Sequence, residues 1–530
     1  MEVLIATAVL AVVTVFILRR ILRSSKDLPL PPGPPRLPLL GNLHNATPDN
    51  PFIPWHAWSK RYGPVMSLSV PGQTIIILGD AKSAGDLLGR RASVYSGRPY
   101  SVMSTLITPG RAEPIHMLLR PYDATFRLQQ RLLTACMNAT SEARFHPAQD
   151  RESAQLVHDL LLEAADDDSA GAGGQAMTSD RLYAHLERAQ ASLVMDLSYG
   201  YRIPTPDHPT TRATLRVHGA MTDLVTQTHL VDVAPALRHL PAPLSPWRRA
   251  ADRVRALETE LHLRNFAAGL AAPGWNFAKK MRASDGARGT SDFDLAYLVG
   301  ANTVAGIETA PRAAIWLFVA ALTAGGGGGA FVTRAQEVLD AVVGRGRIPE
   351  LADRPRLAYV EAVVLELLRW RPVAATGVPH KADGEDTYAG FRIPKGSIVI
   401  FNAWGIGRDE SVFGENAEEF VPERWLTPLT KGGGSAADWT GATVRRDLPR
   451  PFFGYGRRMC TGRHLALDGL WLVTARLLWA FRIESAGEDT LPDPLDIRPH
   501  GFTITPGPFK LVLKPRGPWV KDVILCPDSR

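Results

Sequence analysis

Cys460 lies in a short segment whose residue types could bind a metal ion through sulfur. An apolar helical stretch from Leu465 to Phe481 follows this segment, which reads Phe453-Gly454-Tyr455-Gly456-Arg457-Arg458-Met459-Cys460-Thr461-Gly462. Backbone N–H groups and the positive end of the helix dipole stabilise an anionic sulfur at the start of a helix. Gly454 and Gly462 would allow the backbone to pass close to a flat ligand. Cys460 is therefore a candidate thiolate donor; the alternative is a buried structural cysteine beside a glycine-rich turn.

The flat ligand that suits this thiolate is haem b. A thiolate on haem iron pushes electron density toward bound dioxygen and favours cleavage of the O–O bond. Arg458 lies just before Cys460 and would pair with a haem propionate, because a guanidinium matches the geometry of a carboxylate. The segment predicts a haem-thiolate site in which Cys460 is the metal ligand.

A second group of residues could handle protons. Ala305-Gly306-Ile307-Glu308-Thr309-Ala310 lies within an apolar helical stretch from about Leu295 to Leu322. By itself this motif also allows a purely structural interpretation, in which the threonine hydroxyl bonds back to its own helix and the glutamate is solvated on a surface face. Pro311 should kink or loosen the helix just past the threonine, because it removes one backbone donor.

Together these segments resemble the cytochrome P450 superfamily. The Cys460 segment matches the family's Phe-x-x-Gly-x-Arg-x-Cys-x-Gly signature, and Glu366-Leu367-Leu368-Arg369 resembles its Glu-x-x-Arg pair. Phe420-Val421-Pro422-Glu423-Arg424-Trp425 resembles its Pro-Glu-Arg-Phe element, whose arginine completes a charged triad with that pair. The resemblance covers nearly the whole body of the chain, and the form of the Arg424-Trp425 element is most similar to fungal members that serve secondary metabolism.

The resemblance also implies roles for the proton-handling group, which matches the family's Ala-Gly-x-Asp/Glu-Thr motif. It implies that Gly306 leaves room for dioxygen beside the iron. It implies further that the Thr309 hydroxyl supports a water that delivers protons, with Glu308 as a member of the relay. These three residues are the predicted catalytic residues.

For the cofactor, the resemblance implies contacts from Cys460, Arg458, Phe453, Gly454 and Gly462. His380 falls where the family often places a side chain against a haem propionate; the alternative is a solvated histidine at the start of a strand.

One part of the predicted haem site departs from the family pattern. The family usually has Trp-x-x-x-Arg where this chain has Phe126 and Gln130, so the indole donor and the guanidinium are both lost. Arg131 or Arg127 could compensate, although one step along a helix turns a side chain by about 100°. We include Arg131 among the predicted haem contacts and expect the haem environment to deviate locally.

The expected fold is mainly α with small β-sheets, as in the cytochrome P450 fold. Helical periodicity is clear in Arg151–Ala165 and Asp180–Ser198, and apolar β-branched runs predict strands at Thr74–Leu78 and Ser397–Phe401. Alternation of apolar residues with Thr, Pro and Gly in Phe502–Leu513 predicts a terminal hairpin.

The N-terminus predicts a membrane anchor. Val3–Leu18 carries no charge, and Arg19, Arg20, Arg23 and Lys26 follow it, which is the pattern of a transmembrane helix with a cytosolic basic flank. A cleaved signal peptide is the alternative, but the charges follow the apolar run and no cleavage motif is present. We predict a transmembrane anchor at residues 1–22, a basic flank and proline-rich hinge at 23–41, and a catalytic domain at 42–530. The predicted location is the endoplasmic reticulum membrane, single-pass, with a cytosolic body.

Composition excludes some classes of protein. The chain has 3 cysteines, too few for a disulfide framework, which fits a body in a reducing compartment. Its net charge of +7 is modest for 530 residues, and no basic block is interleaved with aromatic residues, so nucleic-acid binding is not expected. A basic patch could instead face an acidic protein partner or anionic membrane lipid.

The function that these observations predict is a monooxygenase acting on a small organic molecule. The resemblance implies electrons from NADPH through cytochrome P450 reductase, with cytochrome b5 as a further partner. Two alternatives remain: a haem-thiolate isomerase or dehydratase that needs no reductase, and a non-catalytic haem-binding membrane protein. The stretches expected to line the substrate pocket, 98–112, 220–240 and 373–378, contain no clear charged anchor pair, so the substrate is not specified.

Overall fold

The structure is a computed structural model, and part of the chain lies outside its description. The predicted anchor at 1–22 and the start of the basic flank lie outside the described residues. The described residues are 28–45, 49–108, 113–138, 141–165, 176–227, 229–324, 329–427 and 439–525.

The body is mainly helical, as predicted. Its longer helices are α1 Phe52–Tyr62, α2 Ala124–Met137, α3 Glu142–Ala165, α4 Ser179–Tyr199, α5 Pro209–Thr226, α6 Pro246–Ala271, α7 Asp292–Thr323, α8 Ala330–Val342, α9 Ala358–Trp370, α10 Arg463–Ala480 and α11 Pro518–Leu525. Shorter helices lie at Ala81–Ala84, Ala92–Tyr95, Val102–Leu106, Leu230–Val233, Phe277–Arg282, Ala403–Ile406 and Glu410–Phe413. The two helices predicted from periodicity correspond to α3 and α4.

Small sheets lie beside this helical body. The strands are β1 Val65–Val70, β2 Gln73–Leu78, β3 Met177–Thr178, β4 His380–Lys381, β5 Asp386–Tyr388, β6 Phe391–Ile393, β7 Ile398–Phe401, β8 Leu426–Thr427, β9 Thr443–Val444, β10 Phe481–Ser485, β11 Ile497–His500, β12 Thr503–Pro506 and β13 Lys510–Pro515. The four-stranded sheet has the order β1-β2-β7-β4, in which β2 and β7 are parallel and the other neighbours are antiparallel.

The predicted terminal hairpin is wrong in its pairing. β12 pairs with β11, in the register Ile497↔Pro506, whereas β13 pairs with β10 and with β3. Both strands were found by alternation, but their partners lie earlier in the chain, and alternation carries no information about non-local pairing.

Helix α7 is the centre of the body. It begins at the N-cap Ser291, whose hydroxyl accepts from the Asp294 N–H at 3.1 Å, and it packs against α4, α6 and α10. The helix is continuous through Pro311, which therefore does not end it. Among the described residues α7 is the one helix long and apolar enough to cross a membrane, but most of it is buried inside the body.

The predicted charged triad forms beneath this core. Glu366 on α9 is fully buried. Its carboxylate accepts hydrogen bonds from Arg369 Nε at 2.7 Å and from Arg424 Nε at 3.0 Å. Trp425 Nε1 adds a third donor at 2.9 Å, and the N–H of Val421 a fourth at 2.7 Å. A buried carboxylate is stable only when its oxygens are paired in this way. These hydrogen bonds connect Val421–Trp425 to α9.

Candidate active site

A cavity of about 440 Å³ lies between helix α7 and the Cys460 segment. Both groups of residues predicted from the sequence reach it: Cys460 from the segment before α10, and Gly306 and Thr309 from α7. The cavity is walled mainly by apolar side chains, which is typical of sites for small molecules and cofactors.

The loop that carries Cys460 is held by backbone contacts. The N–H of Cys460 donates to the carbonyl of Phe453 at 2.9 Å, which closes the loop on itself. Gly456 has φ +56°, and a β-carbon there would lie 2.2 Å from the carbonyl oxygen of Leu88, so only glycine fits. Cys460 opens on the cavity. Burial raises the pKa of its thiol, while the N–H of Gly462 and the charge of Arg463 act in the opposite direction.

Two arginines, the buried Arg98 and the half-buried Arg458, flank the cavity near this loop. Arg458 donates to the carbonyls of Ser96 at 2.9 Å and Arg120 at 2.6 Å, and its guanidinium carbon lies 3.9 Å from the centre of the Phe126 ring. Arg98 donates to Leu118, Val378 and Pro379 carbonyls at 2.9, 3.0 and 2.8 Å. Within the described ranges neither guanidinium has a carboxylate within ion-pair distance. Burial lowers the pKa of Arg458 to about 10, and burial together with the charge of Arg458 lowers the pKa of Arg98 well below its ordinary value.

His380 completes this basic edge of the cavity. It is buried rather than solvated, lines the cavity, and its Nδ1 lies 2.8 Å from the carbonyl of Tyr95. Burial, together with the charge of Arg98, lowers the pKa of His380 to about 3, so the ring is neutral. Since Nδ1 faces a carbonyl oxygen, it carries the proton.

Arg131, one of the predicted haem contacts, does not line the cavity. Arg131 is exposed on α2 and is not among the residues that line the cavity, whereas Phe126 and Gln130 both line it. Gln130 Nε2 donates to the carbonyl of Arg457 at 2.9 Å. The rotation of about 100° between neighbouring helix positions explains the difference. Arg98, which the sequence analysis did not single out, supplies a guanidinium to the cavity instead.

On the opposite wall, Thr309 and Gly306 lie where α7 borders the cavity. Thr309 Oγ1 donates to the carbonyl of Ala305 at 3.0 Å, as the structural interpretation predicted. The same residue also lines the cavity. Gly306 also permits close packing, because a β-carbon there would lie 3.1 Å from a methyl group of Val194. Its carbonyl accepts from Gln190 Nε2 at 2.9 Å.

Glu308 lies beside the cavity wall and is not a solvated surface residue. Its Oε2 is 3.4 Å from His218 Nε2 and 3.2 Å from Arg312 Nη1. Burial raises the pKa of Glu308, but the hydrogen bond from His218 and the charge of Arg312 outweigh it, so the pKa lies below its ordinary value. Nearby on α4, burial and the charge of Glu308 raise the pKa of Glu187 to about 7, against the opposing charge of Arg312.

The residues around the cavity fit a haem. Phe453 lines the cavity and meets Phe452 edge to face at 5.6 Å. A β-carbon on Gly462 would meet only Met137 Sδ, at 3.8 Å, and one on Gly454 only the Arg458 carbonyl, at 3.9 Å, so both positions border open space. A thiol, an apolar slot and two guanidiniums without an acidic partner match the iron, the ring and the propionates of haem b.

Comparisons with known proteins agree with this geometry. The family model for cytochrome P450 matches residues 31–513. The cytochrome P450 monooxygenase aneD of Aspergillus aculeatus is 35% identical over 494 residues, which cover 92% of this chain and 88% of that protein. The monooxygenase peniB of Penicillium patulum is 33% identical over 93% of this chain and 86% of its own, and monooxygenase 58 of Postia placenta is 31% identical over 96% and 92%.

Proposed function

The chain belongs to the cytochrome P450 family of monooxygenases, and we propose that it inserts one oxygen atom from dioxygen into a small organic substrate held in the 440 Å³ cavity. The observation that carries the proposal is that Cys460 and Thr309, distant in sequence, line one cavity whose basic edge contains Arg98 and Arg458. A thiolate ligand and a hydroxyl on facing walls are what oxygen activation requires.

Cys460 would ligate the iron, with Arg458 and Arg98 at the propionates and Phe453 against the ring. His380 would bind a propionate by taking up a second proton at Nε2, because its Nδ1 proton is donated to the Tyr95 carbonyl. Haem b bound in this way supplies the redox chemistry that activates dioxygen. Arg98 and Arg458 are already oriented by backbone carbonyls, so little side-chain freedom would be lost when they bind carboxylates. The glycines at 454 and 462 keep the loop backbone close to the ring plane.

Thr309 and Glu308 would take part in proton transfer to the cavity. The Thr309 hydroxyl donates to the Ala305 carbonyl, which leaves its oxygen free to accept a hydrogen bond from a water in the cavity. Glu308 is ionised and its Oε2 lies 3.4 Å from Nε2 of His218, which also lines the cavity. Protons would thus pass from the Glu308–His218 pair to a water held at Thr309 Oγ1. Gly306 would leave room for dioxygen beside them.

The wider setting that we propose follows the family. Residues 1–22 would anchor the chain in the endoplasmic reticulum membrane, 23–41 would form the hinge, and 42–530 the catalytic domain. Electrons would come from NADPH through cytochrome P450 reductase, with cytochrome b5 as a second donor. The similarity to fungal monooxygenases supports a role in the oxidation of secondary metabolites.

The test is the carbon monoxide difference spectrum of the dithionite-reduced full chain in microsomes. We expect a Soret maximum at the wavelength typical of thiolate ligation, and its loss in Cys460→Ala. Cys136→Ala is the matched control, because Cys136 is buried and does not line the cavity. A thiolate spectrum without NADPH-dependent oxygen consumption across a broad substrate panel would contradict the monooxygenase and favour an isomerase or a non-catalytic haem protein.

A further inference from the structure

A cluster of buried polar side chains lies in the cavity, away from the Cys460 loop. Glu258 and His262 are one turn apart on α6, and His116 comes from the loop before α2; each is at most 4% exposed. All three line the same cavity as Cys460 and Thr309. Glu258 lies outside the stretches that the sequence predicts to line the pocket, which contain no clear charged anchor pair.

The cluster contains polar atoms of Glu258 and His262 that have no hydrogen-bond partner among the described residues. His116 Nε2 lies 3.2 Å from Glu258 Oε2. Within the part of the chain that the structure describes, Glu258 hydrogen-bonds through Oε2 and not through Oε1, and His262 Nδ1 is fully buried without a hydrogen-bond partner. A buried acceptor without a donor is costly, so such atoms indicate a missing partner.

The charges of the cluster show what kind of partner this is. Burial raises the pKa of Glu258, but the charge of His116 outweighs it, so the carboxylate is ionised. The pKa of His116 is raised by the same pairing, against the effect of burial, whereas burial lowers the pKa of His262 to about 4. His116 and Glu258 therefore form a neutral pair beside a neutral imidazole. A free carboxylate oxygen in a neutral cluster accepts a hydrogen bond and does not need a cationic ligand.

We propose that Glu258, flanked by His116 and His262, anchors the hydroxyl group of an otherwise apolar substrate and thereby selects which carbon is oxidised. This inference rests on the proposed monooxygenase function and adds the substrate class: a neutral, mainly apolar alcohol.

The anchor sets the distance between hydroxyl and reacting carbon. His262 packs against Gly300 of α7, and Thr309 lies nine residues further along the same helix. At 1.5 Å per residue, Gly300 and Thr309 are about 13 Å apart along the axis of α7. A substrate held by its hydroxyl at Glu258 would present a carbon near the opposite end to the oxygen-activating side.

Matched ligands and matched variants test the anchor. The haem-loaded full chain is titrated with decan-1-ol and with undecane, which replaces the hydroxyl by a methyl group, and dissociation constants are read from the spin-state shift of the Soret band. Each variant, Glu258→Gln and His262→Phe, is compared with wild type by its undecane-to-decanol ratio of dissociation constants. Glu260→Gln on the exposed face of α6 is the control.

We expect Glu258→Gln to reduce that ratio by about tenfold, because the charged carboxylate acceptor is replaced by a weaker, neutral amide oxygen. His262→Phe should reduce it less, and Glu260→Gln should leave it unchanged. His262→Phe keeps the His116–Glu258 pair, so it tests the anchor even where Glu258→Gln does not fold. The anchor would be overturned if both variants had the wild-type undecane-to-decanol ratio of dissociation constants. It would also be overturned if His262→Phe alone had that ratio.

The two proposals fail separately. Loss of the thiolate-type carbon monoxide spectrum in wild type would refute the monooxygenase. A normal spectrum and NADPH-dependent turnover, with no preference for the alcohol that depends on the cluster, would refute only the anchor.

Discussion

The imidazole of His262 lies directly against Gly300 of α7: a β-carbon on Gly300 would stand 2.1 Å from Nδ1. The absence of a side chain at Gly300 therefore lets His262 occupy its place in the cavity wall, where Tyr297 meets its ring edge to face at 5.0 Å.

Gly300→Ala should displace His262 and weaken the anchor. We expect the undecane-to-decanol ratio of dissociation constants to fall toward that of His262→Phe, while the carbon monoxide spectrum stays of the thiolate type. Gly219→Ala is the control, since a β-carbon at that position in α5 meets nothing within 4 Å. An unchanged ratio in Gly300→Ala would mean that the position of His262 does not matter for binding.

Thr309→Ala should separate reductant consumption from product formation. Without the hydroxyl, no side-chain oxygen at this position holds the proton-donating water, so more NADPH should be consumed per product and more peroxide released. Thr303→Ala is a matched control, because Thr303 also bonds back to its own helix, at 2.8 Å from the Val299 carbonyl, but does not line the cavity. Product per NADPH is the measured quantity; equal coupling in both variants would refute the relay.

Arg98→Met should weaken haem retention. It removes a buried guanidinium at the basic edge of the cavity, and with it the charge-assisted hydrogen bonds that we propose it makes to a haem propionate. We expect haem transfer to apomyoglobin to be about tenfold faster or more. Arg131→Met, at the exposed position predicted from the sequence, should transfer haem at the wild-type rate. The opposite ranking of the two variants would restore Arg131 as the contact.

Trp425→Phe should destabilise the body by removing the indole donor to Glu366. The lost hydrogen bond to a charged group is worth about 1.5–3 kcal/mol. Arg424→Met should cost more, about 3–5 kcal/mol, because it leaves the buried carboxylate short of a charged partner. Apparent Tm measured on the haem-loaded chain should fall in the order wild type, Trp425→Phe, Arg424→Met. A Trp425→Phe variant as stable as wild type would show that the indole N–H is dispensable.

Glu187 should make stability depend on pH. Its pKa is raised by burial to about 7, from 4.5 in the unfolded chain, so the folded state binds the proton more tightly. That stabilisation is complete below pH 4.5 and is lost as the pH rises through 7. Glu187→Gln should therefore gain apparent Tm relative to wild type between pH 5 and pH 8. A Tm difference that is constant over this range would contradict the raised pKa.

Much of the fold and the centre of the site were predictable because they depend on local sequence. Three features consist of a few neighbouring residues each: the Cys460 segment, the Thr309 motif and the Glu366–Arg369 pair. Helical periodicity located α3 and α4. Local spacing is enough wherever the partners lie within one or two helical turns.

The tertiary structure decided the contacts between distant segments. Arg131 is exposed whereas its neighbour Gln130 lines the cavity, because one step along α2 turns a side chain by about 100°. Arg98 lines the cavity from a non-helical segment earlier in the chain. β12 and β13 were found as strands, but each paired with an earlier strand. Glu258, His262 and His116 look like ordinary helix and loop residues in the sequence. The packing of α6 against α7 brings Glu258 and His262 to the cavity that Cys460 lines, and the loop before α2 brings His116 there. The sequence by itself identified Cys460 as the candidate iron ligand, because its motif consists of neighbouring residues. The packing of the helices decided which side chains line the cavity, because these come from segments that are far apart in the chain.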